Sequence, residues 1–221
     1  MTAALAGIAI HRCDLAADWR EDGWLPLSPD ERDRARRYVR EDDRRRFVAG
    51  RHLIRTTIAP ILGRTADAVA IVIDRYGRPG VTGAPSFSLT HAGDHVALAV
   101  APCGGPSIAV GIDIEAIRDD VDPLALARQV FADAELAILH GADDRIAMFF
   151  RLWTIKEALL KAAGKGLLID PRTLCIDARS NTPSIVYAPS YLGVRGCAVL
   201  PAPHGYAAAV AWCGQGVIAG A

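Results

Sequence analysis

The segment SIAVGIDIEAI, residues 107–117, alternates branched apolar residues with small or acidic ones. Successive side chains of a β-strand point to opposite faces, so Asp113 and Glu115 are expected on one face and Ile112 and Ile114 on the other, in the core. Adjacent carboxylates raise each other's pKa unless a cation lies near them, and oxygen ligands suit a hard ion such as Mg²⁺. The pattern predicts a buried strand with one cation-binding face. The alternative is a strand that ends at the surface with two solvated acids.

A long helical pattern follows in WTIKEALLKAAGKG, residues 153–166. Glu157 and Lys161 are four residues apart, which makes them neighbours on one face of a helix. Such a pair by itself usually lies on a solvated surface. If the helix packs beside the end of strand 108–115, however, Glu157 adds a third carboxylate and Lys161 adds a positive charge for an anionic substrate. Mg²⁺ held by few carboxylates keeps waters and bridges phosphate oxygens, so a phosphate-bearing substrate would suit this site.

Composition excludes several classes of protein. The chain has 221 residues, with 25 basic and 25 acidic side chains, and this zero net charge argues against a protein that coats nucleic acid. Its five cysteines are widely spaced and contain no C-x-x-C pair, which favours neither a disulfide framework nor a zinc site. No basic region precedes the short apolar run at the N-terminus, and no run approaches the ~20 apolar residues of a membrane span. We expect a soluble protein of the reducing cytoplasm.

The periodicity of the chain predicts an α+β fold in one repeated order. An opening strand is expected in residues 5–15, and Ser28 and Asp30 are the candidate caps of a helix that Pro29 starts. The further predicted helices lie in 44–63, 122–131, 132–141 and 144–166. The further predicted strands lie in 68–80, 85–102 and 107–117, as one antiparallel sheet, and in 173–178, 184–189, 196–201 and 205–213. The similar helix endings IRTTIAPILGR and IKEALLKAAGK suggest an internal duplication, although chance similarity is an equal alternative.

Two motifs give the chain a family resemblance. VGIDIE and the downstream WTIKEALLKAAGKGL resemble the two signatures of the Sfp-type 4′-phosphopantetheinyl transferases, G-[IV]-D-[IVL]-E and W-x-x-K-E-[AS]-x-x-K. The upstream YGRPGVTGAPSFSLTHAGDHVALAV is similar to the family's G-[KR]-P and F-[NS]-x-[ST]-H segments, and RRYVREDDRRRFVAGRHLIR agrees with its N-terminal helix. Together the matching segments extend over most of residues 30–170, in the family's order.

The resemblance implies a fold of two similar α+β lobes related by pseudo-two-fold symmetry. The N-terminal lobe, residues 1–105, would hold the 3′-phosphate and adenine side of coenzyme A. The C-terminal lobe, residues 106–221, would carry the magnesium-binding acids and the W-x-x-K-E helix. The length matches the two-lobed type that acts as a monomer, with coenzyme A in the cleft between the lobes.

The resemblance also implies an activity. Members of the family move the 4′-phosphopantetheine arm of coenzyme A to a serine of an apo acyl or peptidyl carrier protein and release adenosine 3′,5′-bisphosphate, with Mg²⁺. By the family pattern the metal ligands would be Asp113, Glu115 and Glu157. The base for the serine would be Glu157 or a metal-bound water. Lys161 would meet the phosphates, and Lys156 is the next candidate, with a solvated helix charge as its alternative.

The family pattern assigns a second group of residues to the 3′-phosphate and adenine. These are Arg46, Arg78, Thr90 and His91, with Arg34 as a further candidate. Arginine offers a planar fork for phosphate oxygens, a hydroxyl can donate to them, and a histidine near an anion is pushed toward its charged form. Two positions depart from the pattern: Glu31 stands where some relatives carry lysine, and Thr90 replaces a serine. Glu135 matches a family glutamate, and we expect it to stabilise a helix N-terminus.

Two alternatives compete with a transferase. Segment 31–55 contains ten arginines and five acids, a modest excess that could bind nucleic acid or another anionic surface. Such binding would fall steeply with salt and would need no Mg²⁺. The other alternative is an interaction protein that kept the fold without the chemistry, but all three expected acids and the lysine are present. The carrier protein and the pathway do not follow from the sequence.

Overall fold

The computed structural model describes residues 7–19, 24–104, 107–164, 168–180 and 182–214. The first half contains β1 (Ala9–Asp14), α1 (Leu15–Asp18), α2 (Pro29–Arg36), α3 (Glu41–Ile61), β2 (Val72–Ile73), β3 (Pro79–Gly80), β4 (Phe87–Ala92) and β5 (His95–Val100). The second half contains β6 (Ile108–Ala116), α4 (Pro123–Val130), α5 (Asp133–His140), α6 (Arg145–Ala162), β7 (Cys175–Asp177), β8 (Ser184–Tyr187), β9 (Val194–Val199) and β10 (Tyr206–Gly214). Two 3₁₀ turns, Pro171–Thr173 and Ser190–Leu192, lie between these strands.

The two halves repeat one topology, which confirms the predicted α+β class. Each half runs from a strand through three helices and a two-stranded ribbon to a hairpin. The first sheet has the order β1-β5-β4 and the second the order β6-β10-β9, so in each the opening strand pairs with the closing strand. All these pairings are antiparallel. The duplication suggested by the two helix endings is thus visible in the order of the elements.

Local signals set the helix boundaries. The Ser28 hydroxyl accepts from the backbone N–H of Glu31, and the Glu31 carboxylate accepts from the backbone N–H of Ser28, which completes a capping box with Pro29 at the first position. Asp144 caps α6 through the N–H of Ala147. Because these residues satisfy free N–H groups at the helix starts, α2 and α6 begin where their sequence signals predict.

The sheets and long helices share three apolar regions. The core between the sheets contains Ala97 and Ala99 of β5, Ile112 and Ile114 of β6, and Val210 of β10. Leu98 and Val100, on the other face of β5, pack with Ile54 and Ile58 of α3. Ala209 and Ala211, on the other face of β10, pack with Ile155 and Leu159 of α6. Each sheet therefore has one face toward the other half and one face under its own long helix.

Gly111 allows α6 to lie close to β6. A Cβ atom added at Gly111 would lie 2.0 Å from the Ala158 carbonyl oxygen and 2.5 Å from the Ala162 amide nitrogen. Both contacts are with helix backbone, so a side chain at this position has no room. The glycine of the GIDIE segment thus brings the helix that carries Glu157 and Lys161 beside the strand that carries Asp113.

Three strand predictions need correction. Residues 68–80 form only the two-residue strands β2 and β3, because the turn at Gly77, with φ of +82°, interrupts the run. Residues 85–102 are a hairpin rather than one strand, and it turns at Gly93, whose φ is +52°. The third predicted strand, β6, belongs to the second sheet and not to the sheet of β4 and β5.

Two further properties concern the chain as a whole. All five cysteines are free thiols. Among the described residues, no helix combines the length and the apolar character needed to cross a lipid bilayer.

Candidate active site

A cleft of about 590 Å³ lies where α2, α3 and β4 of the first half face β6 and α6 of the second. Eight of the ten predicted site residues line it: Arg34, Arg46, Thr90, His91, Asp113, Glu115, Glu157 and Lys161. The other two, Arg78 and Lys156, do not line it. The cleft thus places the arginines of the N-terminal half opposite the acids of the C-terminal half.

Asp113 is the most buried acid of the cleft, with 3% of its surface exposed. Its Oδ1 accepts from the Thr90 hydroxyl at 3.1 Å and from Lys161 Nζ at 2.6 Å. Its Oδ2 is buried without a hydrogen-bond partner. Burial raises the pKa of Asp113, and the ammonium of Lys161 opposes that rise. A buried carboxylate with one unused oxygen is the kind of group that a cation would satisfy.

Glu115 and Glu157 complete the acidic side of the cleft. Desolvation raises the pKa of each, and the Asp113 carboxylate raises both further. Lys161 opposes the rise at Glu157. The indole N–H of Trp153 donates to Glu115 Oε1 at 3.3 Å and favours its charged form. The three carboxylates therefore interact electrostatically, with Lys161 as the ammonium among them.

Lys161 is the cation that Asp113 binds in this arrangement. Besides its contact with Asp113, its Nζ donates to the carbonyl oxygen of Ile112 at 3.2 Å and to the Thr90 hydroxyl at 3.3 Å. Among the residues that the structure describes, no three His, Cys, Asp or Glu side chains lie close enough together to hold a metal ion. Lys161 thus links β4, β6 and α6 at the floor of the cleft.

Arg46 and His91 form part of the opposite wall. Arg46 donates to the Gly93 carbonyl oxygen at 2.9 Å and to Asp43 at 2.6 Å, which ties α3 to the hairpin that carries His91. Partial desolvation in the cleft lowers the pKa of His91, and the cations Arg46 and Lys161 lower it further. His91 is therefore pushed toward its neutral form here, opposite to the expected charged form, because burial and the two cations outweigh the nearby Asp43 carboxylate.

Arg51 lines the cleft as well, and the sequence reasoning missed it. The guanidinium groups of Arg34 and Arg51 each lie 5.2 Å from the centre of the Phe47 ring. Arg51 Nη1 is buried without a hydrogen-bond partner, and desolvation lowers the pKa of this arginine. The available signal was its spacing, since Phe47 and Arg51 are four residues apart on one helix face. Three arginines thus line this wall rather than two.

Glu31 belongs to the framework behind this wall. Its Oε2 accepts from Arg55 Nε at 3.0 Å and from Arg55 Nη2 at 2.8 Å, and its Oε1 lies 3.7 Å from Arg51 Nε. Arg55 itself is 3% exposed and also donates to the carbonyl oxygen of Val69 at 2.6 Å. Glu31, at the position where some relatives carry lysine, therefore supplies an internal anion that holds Arg51 and Arg55 of α3.

The prediction that Lys156 contacts coenzyme A is wrong. Its side chain is fully buried, 2.6 Å from a Glu135 carboxylate oxygen. It also donates to the carbonyl oxygens of Val130, Pro171 and Leu174, at 3.1, 2.8 and 2.8 Å. With every N–H used in the core, this ammonium has no route to the cleft.

Glu135 has the expected role at a helix N-terminus and a second one. Its Oε2 accepts from the N–H of Ala132 at the start of α5, at 2.7 Å. Its Oε1 accepts from the N–H of Ile176 in β7 at 3.0 Å. Burial raises the pKa of Glu135 and lowers that of Lys156, while each ionised partner favours the charge of the other. The pair connects α5, α6 and β7 in the core of the C-terminal half.

Breaking this buried pair should destabilise the protein strongly. Lys156→Met is expected to lower the free energy of unfolding by about 3–5 kcal/mol, because it leaves the Glu135 carboxylate buried without its counter-charge. Replacing both partners, in Lys156→Met/Glu135→Leu, should restore part of the loss. Urea unfolding of the three proteins measures this. Asp33→Ala, which breaks an exposed pair with Arg36, is the control and should leave the midpoint unchanged. An unchanged midpoint for Lys156→Met would contradict the account.

Two family models match the chain. The model described as 4′-phosphopantetheinyl transferase superfamily matches residues 109–211, which contain β6 except its first residue, all of α6 and all three acids. The model described as 4′-phosphopantetheinyl transferase, N-terminal, matches residues 19–103. The chain belongs to the Sfp-type 4′-phosphopantetheinyl transferase family.

Curated phosphopantetheinyl transferases align with much of the chain. A 4′-phosphopantetheinyl transferase of Bacillus subtilis is 30% identical over 145 residues, which are 64% of this chain and 62% of that protein. HetI of a Nostoc species is 36% identical over 64% of this chain and 61% of its own length. The gsp protein of Aneurinibacillus migulanus is 32% identical over 68% of this chain and 61% of its own length. The alignment with each relative thus spans less than two thirds of that relative.

A solved structure gives a partial match. It is the holo-[acyl-carrier-protein] synthase of Thermotoga maritima, with a TM-score of 0.42 and 18% identity, over 48% of this chain and 63% of that one.

Proposed function

We propose that this protein transfers the 4′-phosphopantetheine arm of coenzyme A to a serine of an apo acyl or peptidyl carrier protein, with Mg²⁺. The observation that supports this most is the division of charge in one cleft. Arg34, Arg46 and Arg51 line one wall, and Asp113 and Glu157 line the other. A substrate with phosphates at two places, such as coenzyme A, suits a site with arginines on one side and a metal-binding set of acids on the other.

The arginines and His91 would bind the 3′-phosphate. A guanidinium pairs with phosphate oxygens through a planar fork, and the unpartnered Nη1 of Arg51 is a free donor of this kind. An arriving phosphate would also raise the pKa of His91 and so convert it to a charged donor. The cleft, at about 590 Å³, lies within the 300–1,000 Å³ typical of ligand sites.

The acids suit Mg²⁺ by their chemistry. Asp113, Glu115 and Glu157 would hold the ion, since all the donors are carboxylate oxygens and the buried Oδ2 of Asp113 lacks a partner. When bound, the ion supplies stabilisation of the charge that develops on the pyrophosphate. Lys161 adds a positive charge beside the same group.

Glu157 is our choice of base. It lies in the cleft on the face of α6 that carries Lys161, where its carboxylate could accept the proton of an incoming serine hydroxyl. The serine oxygen would form a bond to the phosphorus next to the pantetheine arm while that phosphorus loses its bond to the bridging oxygen. The serine proton would pass to Glu157, and adenosine 3′,5′-bisphosphate would leave.

The two halves would have different roles: residues 1–105 would bind the nucleotide, and residues 106–221 would perform the chemistry. The protein would act as a monomer in the cytoplasm. Both walls of the cleft come from one chain, which supports a monomer that needs no second subunit to complete the site.

The nucleic-acid alternative gains no support from segment 31–55. Several of its arginines make internal contacts rather than forming a free basic face. Arg32 donates to the carbonyl oxygens of Leu27 and Leu25, Arg45 donates to that of Leu15, and Arg55 is buried.

A mass measurement tests the proposed activity. The purified protein is incubated with several apo carrier proteins, coenzyme A and Mg²⁺, and intact masses are recorded. We expect at least one carrier to gain one phosphopantetheine group. Omission of the metal and a carrier whose acceptor serine is replaced by alanine should both abolish the gain. Absence of a mass gain on every carrier tested would overturn the proposed function.

Replacement of Arg46 should weaken coenzyme A binding selectively. Arg46→Ala is expected to raise the KM for coenzyme A about tenfold, the equivalent of about 1.4 kcal/mol, with little change in kcat. With 3′-dephospho-coenzyme A as substrate the variant and the parent should differ far less. Arg44→Ala, which removes an arginine paired with Glu41 outside the cleft, is the control. An unchanged KM for coenzyme A would remove Arg46 from the binding site.

A further inference from the structure

One edge of β6 pairs with none of the strands that the structure describes. In the second sheet β6 pairs with β10, and its other edge faces β4 of the first sheet. Along an antiparallel strand the N–H and C=O groups point alternately to the two sides. Those of Val110, Ile112 and Ile114 point toward β4, since their N–H groups bond to side chains of β4 and of Ser86, the residue just before it. Such an edge is buried between the two halves and must find partners for its polar groups.

Side-chain hydroxyls supply the partners of the three N–H groups. Ser86 Oγ accepts from Val110 at 3.2 Å, Ser88 Oγ accepts from Ile112 at 3.3 Å, and Thr90 Oγ1 accepts from Ile114 at 3.3 Å. The three hydroxyls occur at every second residue of one segment and meet every second residue of the other. We call Ser86, Ser88 and Thr90 the hydroxyl ladder.

Two cations satisfy carbonyl groups on the same edge. Arg78 Nη2 donates to the Val110 carbonyl at 3.1 Å, and Lys161 Nζ donates to the Ile112 carbonyl at 3.2 Å. Arg78 also donates to the carbonyls of Phe87 and Lys161, at 3.0 and 3.1 Å. Its guanidinium therefore joins β4, β6 and the end of α6.

We propose that the hydroxyl ladder and Arg78 are positioning residues that hold β6, and with it Asp113, at a fixed place against the N-terminal half. This inference rests on the proposed function for its kinetic consequence. Thr90 shows the coupling directly, because its hydroxyl accepts from Ile114 and Lys161 and donates to Asp113. Thr90 and Arg78 thus align the two halves through their contacts with β6.

The ladder explains why side chains rather than backbone join the halves at this point. The acids lie on β6, and the residues for the nucleotide, such as His91, lie on β4. A hydroxyl between the strands keeps them farther apart than the 4.7–4.9 Å spacing of directly paired strands. The width of the cleft therefore depends on the hydroxyl ladder, and loss of one of its three hydroxyl groups should shift the acids relative to the arginines.

Ser88 is the test position, because it is 5% exposed and bonds to Ile112, the residue before Asp113. It is not among the residues that line the cleft, although it lines an adjoining cavity with Arg78 and Lys161. Ser88→Ala removes the middle hydroxyl group of the hydroxyl ladder, and Ser88→Thr keeps a hydroxyl at this position. Ser184→Ala, on the exposed strand β8, is the control. Hydrogen exchange of single amides by NMR and steady-state kinetics are measured on all four proteins.

In Ser88→Ala we expect the Ile112 amide to exchange at least about tenfold faster, while the Asp113 amide, which points to β10, keeps its protection. We expect kcat to fall about tenfold, with the KM for coenzyme A within about twofold of the parent, because the acids move and the nucleotide wall does not. Ser88→Thr should restore both properties.

Two results would overturn the inference. One is an Ile112 amide in Ser88→Ala that exchanges as slowly as in the parent. The other is an exchange rate that rises while kcat stays at the parent value. A parent protein without transferase activity would count against the proposed function alone, since the exchange rates would still show whether the ladder holds β6.

Discussion

Asp113→Asn is expected to reduce the rate of phosphopantetheine transfer by about a thousandfold, comparable to the loss of a major electrostatic group in other active sites. Asparagine keeps the shape of the side chain and an oxygen for Thr90 and Lys161, but it removes the negative charge that the metal would need. The effect should appear in kcat and not only in the KM for coenzyme A. Rates of holo-carrier formation at saturating coenzyme A and Mg²⁺ measure it.

The choice of asparagine follows from the burial of Asp113. One interpretation of the sequence was a strand that ends at the surface with two solvated acids, yet only 3% of Asp113 is exposed, and it binds Lys161. Asp113→Ala would leave the Lys161 ammonium without its carboxylate and mix a loss of stability with the loss of chemistry. Asp119→Asn, on the exposed segment after β6, is the matched control and should keep full activity. An Asp113→Asn protein within tenfold of the parent would refute the assigned role.

Gly111→Ala is expected to lower the free energy of unfolding by about 3 kcal/mol or more, or to prevent folding. The new Cβ would lie 2.0 Å from the Ala158 carbonyl oxygen, 2.5 Å from the Ala162 nitrogen and 2.9 Å from Lys161 Cβ. Because the first two contacts are with the backbone of α6, no side-chain rotation can relieve them. The helix must move away from β6, and Glu157 and Lys161 would move with it. Thermal and urea unfolding measure the loss.

Gly141→Ala provides the matched control for this substitution. Gly141 ends α5 with a φ of −84°, and a Cβ there would lie 3.6 Å from the Ala137 carbonyl oxygen, an ordinary contact. Its melting temperature should stay near that of the parent. A Gly111→Ala protein that melts as the parent does would show that α6 and β6 are not packed as closely as described.

The sequence predicts the elements that carry the chemistry because their signals are local. Alternation of acids and isoleucines places Asp113 on one face of β6, and the capping residue Ser28 starts α2. The prediction of one strand over 68–80 was wrong because β-branched residues favour a strand only where a partner exists, and among the described strands β2 and β3 pair only with each other.

The positions of the site side chains depend more on contacts between residues that are distant in the sequence. Lys156 and Lys161 are five residues apart, which is about 140° around a helix, so only one of them can face the cleft. Lys161 faces it, and Lys156 is buried against Glu135. Likewise, the motif identifies Thr90 and Arg78 but does not reveal that they bind one edge of β6, since these contacts form only when the two sheets pack together.

The central claim is that the carboxylates of Asp113, Glu115 and Glu157 hold one divalent cation beside coenzyme A in the cleft between the halves. A crystal structure with coenzyme A and Mn²⁺, which shares the preference of Mg²⁺ for oxygen ligands and has a measurable anomalous signal, tests it most directly. We expect one anomalous peak at about 2.0–2.3 Å from oxygens of these acids and of the pyrophosphate. Coenzyme A bound in the cleft with no peak at these three carboxylates would contradict the account.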